Sequence, residues 1–326
     1  MEAISEMQFK SFHDFIDSHD EFIIAGHKEP DGDCLTSSLG MARILKHLKK
    51  TYQLVNSGPF KRTEIKKFAK YFSNEIKAET GKNCSVGLIL LDCSEYHRLG
   101  DIGNYLSGFD TFIIDHHQTA SADPKKSIIV PAAPATAYLI QLIYENFLGS
   151  LDKKTAEILL LGMCTDTGFF KFLDENSKDV FLAASRLVAS GANPRNVFNQ
   201  ISNGKPYSTR KLLAKLLDRS KTEFRGKLIW TYETLEDSQK YSKDGRDSDS
   251  LYQLLLSVDN VRAVFFIRQD TEEKCTVGFR SQDGIDVSKV AQVFGGGGHK
   301  CAAGLSTEGT IEELVPKILS EFEKIF

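Results

Sequence analysis

No run in the sequence approaches the roughly 18 apolar residues that a membrane-spanning helix requires, and the opening Met1-Glu-Ala-Ile-Ser-Glu-Met is acidic with no apolar core. Both absences argue against a membrane span and a secretory leader, so a soluble, cytoplasmic protein with no membrane partner is expected. Cysteine is sparse. The six residues at 34, 84, 93, 164, 275 and 301 form no CxxC pair, which excludes a disulfide framework and a structural zinc finger. An excess of one charge is missing too: 41 basic against 44 acidic side chains leave a net charge of -3. That balance excludes a basic groove for long nucleic acid, and any such ligand should be short and held locally. No internal repeat or low-complexity tract is present.

What the chain does have is length enough for two cores, since 326 residues exceed the usual single domain. Short runs of Val, Ile and Leu alternate with helical periodicity, the pattern of a parallel sheet covered on both faces. Helices are expected from Cys34, directly after Asp33, and over Ala135 to Phe147, Lys153 to Leu161, Lys178 to Val188 and Tyr207 to Ser220. From Lys221 onward, segments rich in Val, Ile, Phe and Tyr suggest a second sheet. The expected fold class is α/β: a parallel-sheet domain with helices on both faces over 1–195, a helical linker over 196–220 and a smaller α/β domain over 221–326. The polar Lys240-to-Asp247 segment reads as a mobile loop.

The densest polar point is Ile-Ile-Asp115-His116-His117, an apolar run ending in a carboxylate and two imidazoles. Three further apolar runs end the same way: Phe22 to Gly26 before His27-x3-Asp31-x-Asp33, Val86 to Leu91 before Asp92, and Leu159 to Cys164 before Asp166. In open parallel sheets ligands bind beyond the carboxyl ends of the strands, so four such ends can form one site. Imidazole with carboxylate oxygen suits a divalent ion such as manganese. So many ligands imply two ions about 3.5 to 4 Å apart sharing a carboxylate, the arrangement that clamps attacking and leaving oxygens in phosphoryl hydrolysis. Asp33 also reads as a helix N-cap, and Cys34, Cys93 and Cys164 as small apolar filler.

At these residues the chain resembles the DHH phosphoesterase superfamily. Near the end, Phe279-Arg280-Ser281 and Asp286-Val-Ser-Lys-Val-Ala-Gln-Val-Phe-Gly-Gly-Gly-Gly-His299-Lys-Cys-Ala-Ala-Gly304 resemble the substrate-binding domain found beside many members. The resemblance implies that His27 and Asp31 hold one ion and Asp33 and His116 the other, with Asp92 bridging and Asp166 completing the shell. It places Asp115 as the group that orients an imidazole and His117 as a donor to a phosphoryl or leaving oxygen. Substrate contacts would come from Arg262, Arg280, Ser281, Gly296, Gly297, Gly298 and His299, where glycines permit close backbone approach to an anion.

The implied reaction is that of a stand-alone nanoRNase, hydrolysing very short oligonucleotides to nucleoside 5'-monophosphates and removing phosphate from pAp, with two divalent cations, manganese by preference. The implied partners are short RNA or DNA oligonucleotides or small nucleotides, with a homodimer left open. A cyclic dinucleotide phosphodiesterase and a non-catalytic nucleotide sensor stand as alternatives. After Asp166, Phe169 and Phe170 occupy positions where many relatives carry Arg or Trp, and a ring there would stack on a base.

Overall fold

A computed structural model describes residues 4–77, 85–118, 120, 122–241, 246–282 and 284–326. The chain divides into two compact units, Met1–Gly204 and Lys205–Phe326.

In the first unit, α1 (Glu6–Asp17) starts at a capping box in which Ser5 and Gln8 satisfy each other's backbone. The order continues β1 (Glu21–Gly26), α2 (Gly32–His47), β2 (Thr51–Val55), β3 (Val86–Leu91), α3 (Gly103–Leu106), β4 (Asp110–Asp115), β5 (Ser127–Ile129) and α4 (Thr136–Leu148). It closes with α5 (Lys153–Asp166), α6 (Lys178–Ala189) and α7 (Pro194–Ser202). Among the described residues the five strands form one parallel sheet in the order β2-β1-β3-β4-β5. Alternate residues feed two cores: Phe22, Ile24, Ile89 and Leu91 join one, and Ile23, Ala25, Leu88 and Leu90 join the other. Burial on both faces is why β1 and β3 read as unbroken apolar runs. Because β1, β3 and β4 are parallel neighbours, their carboxyl ends share one edge, and His27, Asp92 and Asp115 stand there.

Asp166 reaches that edge differently from the expectation. The Leu159-to-Cys164 run is the end of the helix expected over Lys153 to Leu161, which as α5 continues to Asp166, so Asp166 stands at a helix end and not at a strand end. The run is apolar on every side because α5 packs against α2, α4, α6 and α7, and periodicity cannot separate such a buried helix from a buried strand. Glycines permit that packing. A Cβ at Gly162 would lie 2.1 Å from Thr36 Oγ1 and 2.7 Å from Ala137 Cβ, and one at Gly32 would meet Thr165 at 2.4 Å.

The second unit contains α8 (Tyr207–Asp218), β6 (Lys221–Glu223), β7 (Leu228–Glu233), α9 (Leu235–Tyr241), α10 (Ser248–Leu256), β8 (Ala263–Thr271), β9 (Lys274–Ser281), α11 (Val287–Val293), β10 (Gly297–His299), β11 (Ala302–Glu308) and α12 (Ile311–Glu323). Its sheet runs β10-β11-β9-β8-β7-β6 and is mixed, only β7 and β8 being parallel. Of the segment expected as a mobile loop, 242–245 lie outside the described residues. No helix among the described residues is long and apolar enough to cross a membrane.

Candidate metal centre

Asp31 caps α2, its Oδ1 accepting the Cys34 amide at 3.0 Å. Asp33 lies in the first turn of α2 and is fully buried. Its oxygens accept the amides of Thr136 at 2.6 Å and Ala137 at 2.7 Å, at the start of α4. Asp33 is therefore not the cap of its own helix, a role that Asp31 takes; its carboxylate instead ties α2 to α4.

Asp92 is the hub. Its oxygens lie 3.3 Å from His27 Nε2, 3.5 Å from His116 Nε2 and 3.8 Å from His117 Nδ1, and Oδ1 accepts the Thr136 hydroxyl at 3.0 Å. His116 Nε2 also stands 3.2 Å from Asp166 and 4.0 Å from Asp33, and His27 Nε2 lies 3.9 Å from Asp31. Among the described residues, every ion pair these carboxylates make is with an imidazole. The backbone of Asp92 is left-handed, φ 61°, a conformation costing a non-glycine residue about 1–2 kcal/mol and found where function over-determines it.

The imidazoles are oriented from behind. His27 Nδ1 lies 2.9 Å from the Lys28 carbonyl and His116 Nδ1 3.2 Å from that of Ala133. Donation there points each Nε2 at the carboxylates, the nitrogen a ligating histidine would offer once its proton has left. Asp115 Oδ1 accepts both following amides and the His117 Nδ1 proton, the last at 2.7 Å. Among the described residues, the buried Asp115 Oδ2 has no hydrogen-bond partner.

Electrostatics show what this cluster lacks. Burial opposes a proton on His116, but the bond to Asp92 and the charges of Asp33, Asp92 and Asp166 raise its pKa to about 10. For His27, burial is likewise outweighed by Asp92, and its pKa is raised. Burial would raise Asp92, yet His116 and His27 hold it well below the usual carboxylate range. Burial and the Asp92 charge push Asp33 well up, and burial takes Asp166 to about 6. Protons therefore stand in for positive charge, and divalent cations fit the same donors. Three overlapping donor groups have that capacity: His27, Cys34 and Asp92; Asp92, His116 and His117; Asp33, His116 and Asp166. Burial pushes the Cys34 thiol far up, so it stays neutral. Cys93 and Cys164 are also buried and filler-like.

All eight polar residues expected at this centre converge on one edge. Thr136, which serves Asp33 through its amide and Asp92 through its hydroxyl, was missed; the available signal was a polar residue opening a helix whose first two turns are otherwise mostly apolar. Phe169 and Phe170 do not stand free for a base. Both backbones are left-handed, and their rings pack on Phe198 at 5.2 Å and Phe181 at 5.6 Å. Phe172 is the exposed ring of that segment.

In the second unit, Arg280 and Gly304 line an open depression of about 520 Å³ together with Tyr252, Arg268 and Thr276. The Arg280 guanidinium stacks over Tyr252, 4.6 Å from the ring centre, and donates to the Phe279 carbonyl. A Cβ at Gly278 would meet the Tyr252 hydroxyl at 2.1 Å, so glycine makes room for that ring. Arg262 is exposed and outside this lining. Ser281 is buried and donates to the Ile285 carbonyl. The glycine run follows α11 and enters edge strand β10, so its amides stand at a sheet edge and not at a helix start. Gly296 presses on Gly304 and Leu305, and Gly298 (φ 143°) on Ala302, while His299 is exposed opposite Ala302.

A parallel sheet whose carboxyl edge gathers this motif set is the signature of one class. Residues 21–163 match the DHH family, N-terminal domain, and residues 227–326 match the DHHA1 domain. The chain belongs to the DHH family and carries a DHHA1 domain, and it is a metal-dependent phosphoester hydrolase of that family. It is 30% identical to the bifunctional oligoribonuclease and PAP phosphatase of Thermus thermophilus, over 88% of this chain and 84% of the relative. Against the protein of the same description in Bacillus subtilis it is 27% identical, over 95% and 96%. The fold is similar to that of an exopolyphosphatase-related protein from Bacteroides fragilis, with a TM-score of 0.81 at 23% identity, covering 98% of this chain and 96% of that one.

Proposed function

We propose that this enzyme hydrolyses very short oligoribonucleotides to nucleoside 5'-monophosphates and converts pAp to AMP, using two divalent cations, manganese by preference. The observation that carries the reading is Asp92, within 4 Å of three imidazoles at the edge where Asp31, Asp33 and Asp166 also converge. The descriptions of the Thermus and Bacillus relatives, similar over most of their length, support the substrate class.

His27 and Asp31 would hold one cation, and Asp33 and His116 the other, with Asp92 shared and Asp166 beside His116. Bound cations there supply Lewis acidity toward phosphoryl oxygens and acidify water. The chain's own groups do the positioning. Thr136 fixes one Asp92 oxygen, while the Lys28 and Ala133 carbonyls hold the His27 and His116 rings in register. Asp115 orients His117 through Nδ1, and the other ring nitrogen is the one that would donate a hydrogen bond to a phosphoryl or leaving oxygen. We assign nucleotide binding to the Arg280 depression, in which a guanidinium fork suits a phosphate.

The test is a product assay on purified protein with manganese, offering pAp, pApA, cyclic di-AMP and a five-nucleotide RNA separately. AMP from pAp and mononucleotides from pApA and the RNA are expected, with cyclic di-AMP left intact. Cleavage confined to cyclic di-AMP would replace this reading with that of a cyclic dinucleotide phosphodiesterase, and no turnover of any of them would leave a nucleotide sensor.

A further inference from the structure

The first unit holds a second cavity, of 630 Å³, whose lining includes no residue of the metal centre. Its walls come from α2, β2, the 3-10 turn Lys66–Tyr71, α5 and α7. That volume lies within the range of small-molecule sites, about 300 to 1,000 Å³.

Arg43, Lys46, Lys67 and Lys154 bring four cationic side chains to this lining, against the single carboxylate of Glu157. Among the described residues, the side chains of Arg43, Lys46 and Lys154 make no ion pair or hydrogen bond. Lys67 is held by the Gln200 side chain oxygen. A cation in the last turn of α2 complements that helix's carbonyl end, which accounts for Lys46 but not for Lys67 and Lys154, contributed by other elements. The remaining wall is mostly aliphatic, from α2, β2, α5 and α7, with three aromatic rings on one side. Tyr52 and Phe68 are packed into the side of the cavity, and Tyr71, 54% exposed, stands at its rim. Four cations against one carboxylate in the lining, with tyrosine rings beside them, match a molecule that combines several negative charges with a planar ring.

We propose that this cavity binds a nucleoside diphosphate, with the phosphates among Arg43, Lys46, Lys67 and Lys154 and the base against Tyr71. It is an effector site distinct from the metal centre. Arg43 lies ten residues along α2 from Asp33, about 15 Å at 1.5 Å per residue, and Lys154 lies near the opposite end of α5 from Asp166. The ligand therefore touches the two helices that also carry catalytic carboxylates, and its occupancy biases how they pack through Gly162 and Gly40. This inference does not depend on which phosphoester the enzyme cleaves.

The experiment is calorimetric titration of the manganese-loaded full chain with ADP, and separately with inorganic pyrophosphate. Wild type should show a binding event that survives in Asp92→Ala and weakens about tenfold or more in Lys46→Glu/Lys154→Glu, whose basal activity is unchanged. Tyr71→Ala, at an exposed position, should weaken ADP several-fold and leave pyrophosphate unchanged, and it tests the site independently if the double variant does not fold. Binding that disappears in Asp92→Ala but withstands charge reversal would assign ADP to the metal centre and overturn the proposal. Equal affinity for pyrophosphate and ADP would overturn the nucleotide assignment.

Discussion

Asp92→Asn removes one charge and almost no volume, so it isolates the electrostatic role of the hub. At the 3.5 Å separating Asp92 from His116 Nε2, unit charges in a medium of effective dielectric about 20 interact by about 5 kcal/mol, equivalent to about 3.5 pKa units. That is close to the whole distance between the ordinary histidine value of 6.5 and the value of about 10 held here. Asp33 and Asp166 remain in the variant and retain part of the effect, so the His116 pKa should fall by about 2 units. Titration of the histidine ring carbons by NMR, on protein stripped of metal, reads that fall directly. In manganese the same variant should lose about 100-fold to 1,000-fold in kcat/KM, the range for removing one element of transition-state charge stabilisation. An unmoved His116 titration, or activity above a tenth of wild type with the metal content intact, would refute the hub role.

Affinity for the divalent ion should fall as pH falls. His116 carries a proton below about 10, and that proton must leave before Nε2 can ligate, so affinity rises about tenfold per pH unit through neutrality. Below about 6 Asp166 takes up a further proton and the slope steepens; a flat calorimetric profile with pH would contradict this. Gly162→Ala should cost about 1–3 kcal/mol in urea unfolding, because its Cβ would meet Thr36, Ala137 and, at 3.2 Å, Asp33 Oδ1; an unchanged midpoint would show that the helices yield freely. Arg280→Ala should lower kcat/KM for pApA roughly 30-fold to 1,000-fold while sparing a nitrophenyl phosphodiester. Equal losses on both substrates would place Arg280 in the catalytic shell or in the fold.

The parallel sheet and the edge that carries the metal-type ligands were legible because β1, β3 and β4 are short apolar runs that each stop at a polar ligand. The same logic misread the approach to Asp166. The helix expected over Lys153 to Leu161 is α5, but a helix buried on all sides loses its amphipathic stripe, so its last turns to Asp166 read as a separate apolar run. Tertiary donors left no local trace: nothing near Asp33 announces that its oxygens serve amides 103 and 104 residues away. In the second unit Arg280 was readable from its motif, whereas Tyr252 and Arg268, which line the same depression, come from separate elements with no shared pattern. The glycine run was recognised as a place of close backbone approach. Its strand geometry follows from pairing with β11, which sequence spacing does not encode. Phe169 and Phe170 looked available because aromatic type says nothing about which partner a ring meets, and here α6 and α7 supply those partners.

The most direct test of the central claim follows pApA hydrolysis by one sample through three conditions: saturating manganese, excess EDTA, and manganese restored. If the cluster around Asp92 is a metal centre that cleaves phosphoesters, AMP appears, stops and appears again at the original rate. Undiminished AMP formation in excess EDTA would contradict it.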